Sequence, residues 1–376
     1  MTPRIERITA RQLRIPLVVP YRLSFGTVEH FDTIVVECGA SDGNIGLGEA
    51  TVLTGYTDET IDDSWRASRE IADALVALDS ASAKRKLAQL MDQLPFTVTA
   101  FGTALEMLER SPHLEFDSEA TVPILGLLNA VGEEAMSSQL ERLLAAGYRT
   151  IKVKVGTDAA KDAAHVAVAQ RLVRGRATIR IDANQGFSAE EGVKFARALD
   201  PAGIELFEQP CKAGDWHAHL AVLRASSVPM MLDESIYGMA DIKRAAELKA
   251  ARFIKLKLMK LGTLEALAQA LESIRRLGMT PILGNGVACD LGCWMEACVA
   301  ARYIDNAGEM NGFLKAQTRL LRESLEVRDA AVRLRPNYVP CLATERLEPY
   351  VVATHTATRA IAAAAQEGDL QCARSQ

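Results

Sequence analysis

The chain has no run of eighteen uncharged apolar residues, and its first twenty residues alternate charged and apolar positions. A membrane span needs about 20 apolar residues in a row, and a secretory leader needs an unbroken apolar centre. The expectation is a cytoplasmic protein without a membrane partner. Positive charge is not in excess either: 43 Lys and Arg stand against 48 Asp and Glu, net −5. With no bulk basic field, nucleic acid is not an expected partner. The seven cysteines contain no CxxC. Cys289, Cys293 and Cys298 cluster at helical spacing with no histidine nearby, and read as small buried hydrophobes rather than a zinc or redox site. Six histidines are scattered, and His217 with His219 are expected on a solvated loop. A glycine-rich phosphate turn is also missing, which argues against a doubly wound nucleotide-binding sheet.

What is present is ample: 376 residues, 49% apolar and 24% charged, enough for two domains or a barrel with a smaller companion. Residues 5–17 and 33–50 read as antiparallel strands, the second pair turning at Ser41-Asp-Gly-Asn44. Helical patterns follow at 60–78, 82–94 and 100–108. A regular alternation then begins. Short apolar strands start near Thr121, Thr150, Thr178, Ile204, Val228, Phe253, Thr280 and Ala307, separated by 29, 28, 26, 24, 25, 27 and 27 residues. Eight strands at one βα period predict a (β/α)₈, TIM-like barrel of the α/β class, behind an N-terminal α+β capping domain. The expected boundaries are 1–118 for the cap, 119–322 for the barrel, and 323–376 for a C-terminal segment returning to the cap. Residues 356–376, including Ala360–Gln366, read as a short helix or frayed tail.

Barrel strands should be almost wholly apolar, yet here charges recur near their C-terminal ends. Lys152 and Lys154, Asp182 and Asn184, Glu208, Asp233 and Glu234, Lys257 and Glu309 occupy that position. The steps Lys154, Asp182, Glu208, Asp233, Lys257 are 28, 26, 25 and 24 residues, so one register recurs at the end where barrels carry their chemistry. A structural ion-pair network is the alternative. Asp182, Glu208 and Asp233 on consecutive strands would repel one another unless a cation neutralised them. Oxygen-only donors with room for water and substrate suit Mg²⁺, with Mn²⁺ as a substitute, better than Zn²⁺. Lys154 and Lys257, on strands 2 and 6, flank that centre as candidate general bases, Schiff-base chemistry being the rival role. A substrate carboxylate on the metal would lose its α-proton to a lysine and give a metal-stabilised enediolate.

The motifs Lys152-Val-Lys154, Asp182-Ala-Asn184, Glu208-Gln-Pro210, Asp233-Glu-Ser235 and Lys257-Leu-Met-Lys260 resemble the enolase superfamily, in particular its muconate lactonizing enzyme subgroup, which includes muconate cycloisomerases and dipeptide epimerases. Such enzymes are a standard instance of a lysine or histidine base working with Mg²⁺. The resemblance implies metal ligands Asp182, Glu208 and Asp233. It also implies an acid/base pair Lys154 and Lys257, with Lys152 tuning Lys154 and neutralising the substrate carboxylate. A cap would close over the mouth, its loops 21–27 and 51–59 touching substrate. Candidate substrate-binding residues are Thr54, Gly55 and Tyr56 on the second loop, with Asn184, Asn285 and Glu309 on the barrel. Gly308-Glu-Met-Asn-Gly312 is nearer to the Glu-Leu-x-Gly of cycloisomerases than to the Asp-x-Asp of dipeptide epimerases. Leu261-Gly262 stands where a glycine pair is usual. The reading is a Mg²⁺-dependent isomerase, a cycloisomerase or racemase/epimerase, acting on a small carboxylate as a homo-oligomer. A dehydrating lyase of the o-succinylbenzoate synthase type and a metal- and carboxylate-binding protein without turnover are the rivals.

Overall fold

The structure, a computed structural model, describes residues 3–23 and 26–359. Three strands open the chain: β1 (Ile5–Leu23), β2 (Gly26–Ala40) and β3 (Ile45–Val52). The turn between β2 and β3 is set by Asp42, whose carboxylate accepts from Asn44 N at 3.1 Å, and by Gly43 at φ +83°. Register then follows from alternation, with Thr33 opposite Thr51 and their hydroxyls 2.9 Å apart in the interior. Helices α1 (Ile61–Leu75), α2 (Ser80–Ala88) and α3 (Pro95–Leu108) complete the unit. Helix α3 begins at the proline rather than near Ala100, because proline favours the first helical position and Glu59 satisfies the exposed N–H groups there. The Glu59 carboxylate accepts from Phe96 N at 2.8 Å and Thr97 N at 3.1 Å. α3 lies so close to β3 that a Cβ on Gly48 would fall 1.9 Å from Ala100 O; an alanine there has no room.

Strand β4 (Ala120–Pro123) stops at its proline, so only Gly126–Leu128, β5, continues into the barrel. The apolar run from Thr121, expected as one strand, is thus two. Strands β6 (Thr150–Lys154), β7 (Thr178–Asp182), β8 (Ile204–Glu208), β9 (Met230–Leu232), β10 (Phe253–Leu256) and β11 (Thr280–Leu283) follow in order, all parallel. Helices α4 (Glu133–Ala145), α5 (Ala159–Val173), α6 (Ala189–Ala198), α7 (Trp216–Ala225), α8 (Met239–Glu247), α9 (Leu264–Arg276) and α10 (Asp290–Tyr303) alternate with them. The eighth position is the three-residue segment 309–311 between Gly308 and Gly312 rather than a full strand. Gly308 N donates to Pro123 O, Leu125 N to Gly308 O and Glu309 N to Leu283 O, at 2.8, 3.0 and 3.0 Å. These bonds reach both neighbours and close the ring. Buried Arg180 adds a tie to Ala307 O at 2.7 Å.

β12 (Glu326–Arg328) pairs with β13 (Ala331–Leu334), which pairs with β4, and β14 (Val351–Thr358) pairs with β1. Residues 356–358, expected in a tail, lie in this strand: Thr356 sits opposite Thr9 and Thr358 opposite Arg7. The helix expected at 360–366 lies outside the described residues. Two cap-unit glutamates join the halves. Glu49 accepts from Cys289 N and Gly292 N, both at 2.7 Å, and Glu106 from Leu264 N and Glu265 N at 2.6 and 3.0 Å. Each acid therefore caps a helix that starts at the barrel mouth. Among the described residues no helix is long and apolar enough to cross a membrane.

Candidate active site

Parallel pairing sets Lys154 opposite Asp182 and Asp182 opposite Glu208. Beneath the charged layer Leu206, Met231 and Ile282 pack as a small apolar cluster. The strand ends turn sharply: Asn184, Gln185 and Gln209 sit at φ +39°, +66° and +39°, the sparsely populated left-handed region that concentrates at functional sites. Gln209 then locks β8 to the end of β9, its side-chain oxygen accepting from Asp233 N at 2.9 Å and Ser235 N at 3.2 Å. His219 supports the same junction and is not on a solvated loop. It is fully buried on α7, with Nε2 3.2 Å from both Gln209 Nε2 and Ser235 Oγ. Burial lowers its pKa. The helical face turned inward, not the polar sequence around it, decides its environment. His217 lies on the same helix, exposed.

Lysines interleave with the acids. Lys152 Nζ lies 2.8 Å from Asp182 Oδ2, 2.8 Å from Glu208 Oε2 and 3.2 Å from Glu309 Oε2. Lys154 contacts Asp182 Oδ2 at 2.6 Å and also donates to Asn184 Oδ1. Lys257 Nζ and Lys260 Nζ hold the two oxygens of Asp233 at 2.9 and 2.7 Å. Lys255 escapes the register argument, although its two-residue offset from Lys257 repeats that of Lys152 from Lys154. Its Nζ reaches Glu208 at 3.2 Å and Asp233 at 3.5 Å and pairs closely with Glu309. Asn184 Nδ2 donates to Glu234 Oε1 at 3.0 Å, while buried Glu234 Oε2 has no partner among the described residues.

Burial penalises every charge here, and the opposite charges decide the outcome. Against burial, Lys152 and Lys154 hold Asp182 down at about 2, and Lys257 with Lys260 hold Asp233 well below the carboxylate range. Lys257 is likewise held well above the ordinary lysine range by Asp233 and Tyr56, despite burial. Against burial, Asp182 also raises Lys154 above its ordinary value. Glu234 is pushed up to about 7 by burial and by Asp233. Lys260 drops to about 8 through burial and neighbouring Lys257.

The donor chemistry suits a hard divalent cation. Asp182, Glu208 and Asp233 offer carboxylate oxygens only, at 0%, 1% and 1% exposure, and cations already gather them, since one ammonium takes an oxygen from both Asp182 and Glu208. Glu234 Oε2 adds an unpartnered buried oxygen nearby. Among the described residues no three His, Cys, Asp or Glu side chains form a ready-made metal group. Lysine ammoniums lie between the three acids instead.

From the cap, Tyr56 covers this layer, its ring centroid 4.1 Å from Lys257 Nζ. Tyr237 donates its hydroxyl to Tyr56 O, which pins the loop to the barrel. Gly55 is exposed at φ +107° in the turn before it. Thr54 does not join the cluster: its hydroxyl donates to Glu59 O at 3.0 Å, and it lines an outer groove with Val28, Asp32 and Ile61. The tight turn that delivers Tyr56 inward sends Thr54 outward. Asn285 stands at the edge, accepting from Val287 N at 2.9 Å. It lines a cavity of about 20 Å³ with Glu49, Leu258 and Glu296, a volume that suits one water.

Glu296 supports the lysine turn, accepting from Leu258 N at 2.8 Å, while its Oε2 has no partner among the described residues. Burial pushes both Glu296 and Glu49 from 4.5 up to about 7, against the backbone donors that pull them down. A carboxyl with a raised folded-state pKa binds more protons folded than unfolded between those values. Its contribution is therefore present below about pH 4.5 and lost as pH rises through 7. Denaturant unfolding of Glu296→Gln should fall less between pH 4.5 and 7 than that of the wild type; an unchanged slope would refute the assignment.

Residues 5–108 match the mandelate racemase / muconate lactonizing enzyme N-terminal domain, and residues 135–337 the enolase C-terminal domain-like family. The L-Lys-D/L-Arg epimerase of Methylococcus capsulatus is 30% identical over 336 residues, covering 82% of this chain and 91% of that protein. In three dimensions the chain resembles the muconate lactonizing enzyme of Pseudomonas fluorescens complexed with muconolactone. The TM-score is 0.84 at 23% identity, over 93% of this chain and 100% of that one. It also resembles the dipeptide epimerase of Cytophaga hutchinsonii complexed with Mg and D-Ala-L-Val, at TM-score 0.82 and 21% identity, over 95% and 100%.

Proposed function

From a chain that belongs to the mandelate racemase / muconate lactonizing enzyme family, and is an isomerase of the enolase superfamily, we propose a racemase or epimerase that moves the α-proton of a small carboxylate between Lys154 and Lys257. The observation that carries this is the placement of the two lysines. Lys154 binds Asp182 on one flank of the acid row and Lys257 binds Asp233 on the other. Their strand positions, β6 and just past β10, are four steps apart in the sheet order, which in an eight-unit ring means opposite walls. Two lysines on opposite walls, one as the neutral amine and the other as the ammonium, can take a proton from one face of a carbon and return one to the other.

Asp182, Glu208 and Asp233 would hold Mg²⁺, which when bound supplies positive charge beside the substrate carboxylate and so acidifies the α-proton. The chain's own residues do the rest. Lys152 keeps positive charge between Asp182 and Glu208, where a carboxylate must approach. Asn184 orients Lys154 by accepting its hydrogen bond. Tyr56 closes over Lys257 and excludes water, which strengthens the electrostatics within; it must swing aside to admit substrate. The resemblance to epimerases supports this reading over cycloisomerisation, although the Glu309 segment is cycloisomerase-like. The test is ¹H NMR in D₂O with Mg²⁺ on dipeptides, N-acyl amino acids and muconate. The expected result is deuterium at the α-carbon from either epimer of at least one substrate. Turnover of muconate without exchange at a racemisable centre would favour the cycloisomerase instead.

A further inference from the structure

Among the described residues, Lys315 at the barrel mouth is not paired with an acid. Lys315 closes the 3₁₀ turn Gly312–Lys315 that follows the Glu309 segment. Its Nζ donates to Gly286 O at 2.8 Å, reaches Asn311 Oδ1 at 3.5 Å, and lies 4.7 Å from the ring centroid of Tyr21 on the cap hairpin. All of these are neutral. Among the described residues it forms no ion pair, whereas Lys152, Lys154, Lys255, Lys257 and Lys260 all do. The side chain is half-buried, and an ammonium that has given up part of its water without an opposite charge favours an anionic guest.

The space around it is shaped. A Cβ on Gly286 would lie 3.5 Å from each of three polar atoms: Glu309 Oε1, Lys315 Nζ and Tyr21 Oη. Groups from the cap, the loop after β11 and the eighth barrel position therefore converge in front of a residue that has no side chain. Glu309 does not make this an amine site, because Lys152 and Lys255 both neutralise it. Lys315 and the Tyr21 hydroxyl are left as donors. The same Glu309 carboxylate links the space to the lysine and acid cluster through Lys152.

We propose that Tyr21, Gly286 and Lys315 form a subsite for a second carboxylate on the substrate, so that this enzyme acts on a small diacid. The proposal rests on the isomerase reading above for which end of the substrate reacts, but not for whether the far end binds. A free carboxylate takes the Lys315 ammonium and the Tyr21 hydroxyl.

The test is calorimetric binding of L-Ala-L-Glu and of its uncharged match L-Ala-L-Gln to the full chain with Mg²⁺, with cis,cis-muconate as a second diacid. The wild type should bind L-Ala-L-Glu about tenfold or more tighter than L-Ala-L-Gln, as one added charge-assisted contact implies. Lys315→Met should bring that ratio to about one, and Lys315→Glu should reverse it in favour of L-Ala-L-Lys. Gly286→Ala, whose added methyl meets only ordinary contacts in the free protein, should weaken both diacids. A wild-type ratio near one, a ratio retained in Lys315→Met, or no binding of either diacid would overturn the proposal. Selective binding through Lys315 without α-proton exchange would leave the subsite standing and remove the racemase mechanism. Exchange without any Lys315-dependent selectivity would do the reverse.

Discussion

Lys154→Ala and Lys257→Ala should each lower α-proton exchange by about 10² to 10⁴, the usual worth of a general base, but from opposite epimers of one substrate. The reason is positional. Lys154 stands beside Asp182 and Lys257 beside Asp233, so on the proposed mechanism each would reach the substrate from its own wall and face only one side of the α-carbon. Removing one base leaves the other able to exchange the epimer whose proton points toward it. Asparagine at Asp182 or Asp233 would impair both directions, because those acids serve the centre rather than one face. The measurement is deuterium incorporation into each pure epimer under single-turnover conditions. Normal exchange in both alanine variants would exclude a two-base mechanism. Loss confined to Lys154→Ala, with product still formed, would indicate a one-base cycloisomerisation in which Lys257 only stabilises charge.

Lys255→Met should destabilise the metal-stripped protein by about 3–5 kcal/mol, the typical cost of removing one partner from a buried ionic group. Lys255 is 3% exposed and touches Glu208, Asp233 and Glu309. Without it Glu309 keeps only Lys152, and that lysine is already shared with Asp182 and Glu208. A divalent cation would then supply the missing positive charge. Unfolding in urea should accordingly show a larger stabilisation by Mg²⁺ in the variant than in the wild type, because binding to the folded state alone adds to its stability. A variant as stable as the wild type in EDTA would mean that Lys255 is dispensable to the acid cluster.

The regular parts of this architecture are legible because they are periodic. Strand starts near Thr150, Thr178, Ile204, Phe253 and Thr280 coincide with strands, since a buried parallel strand must be a short apolar run and its crossover helix has a fixed length. The same register brings Lys154, Asp182 and Glu208 side by side. Periodicity fails where one residue overrides it. Pro123 cuts the first run in two, and Gly308 with Gly312 shortens the eighth position to a bridging segment. Lys255 is hidden for a different reason: a lysine two residues before a candidate base looks like a duplicate until its three carboxylate partners, from three other βα units, are seen together. His219 looks solvated beside Asp215 and His217, and only the orientation of α7 buries it. Tyr56 and Lys315 depend on contacts across more than two hundred residues, between cap and barrel, which no local pattern encodes. Thr54, two residues from Tyr56, looks equivalent in sequence and points the other way in space.

The most direct test of the central claim is a Mg²⁺ titration of the EDTA-stripped protein, following heat of binding and α-proton exchange in D₂O in the same samples. Exchange should be absent in EDTA and return in step with binding of one ion per chain. Asp233→Asn and Glu208→Gln should lose the binding heat and the exchange together. Exchange that persists in EDTA, or ion binding that survives both substitutions, would contradict the assignment of Asp182, Glu208 and Asp233 as the acids that hold the metal between the two lysines.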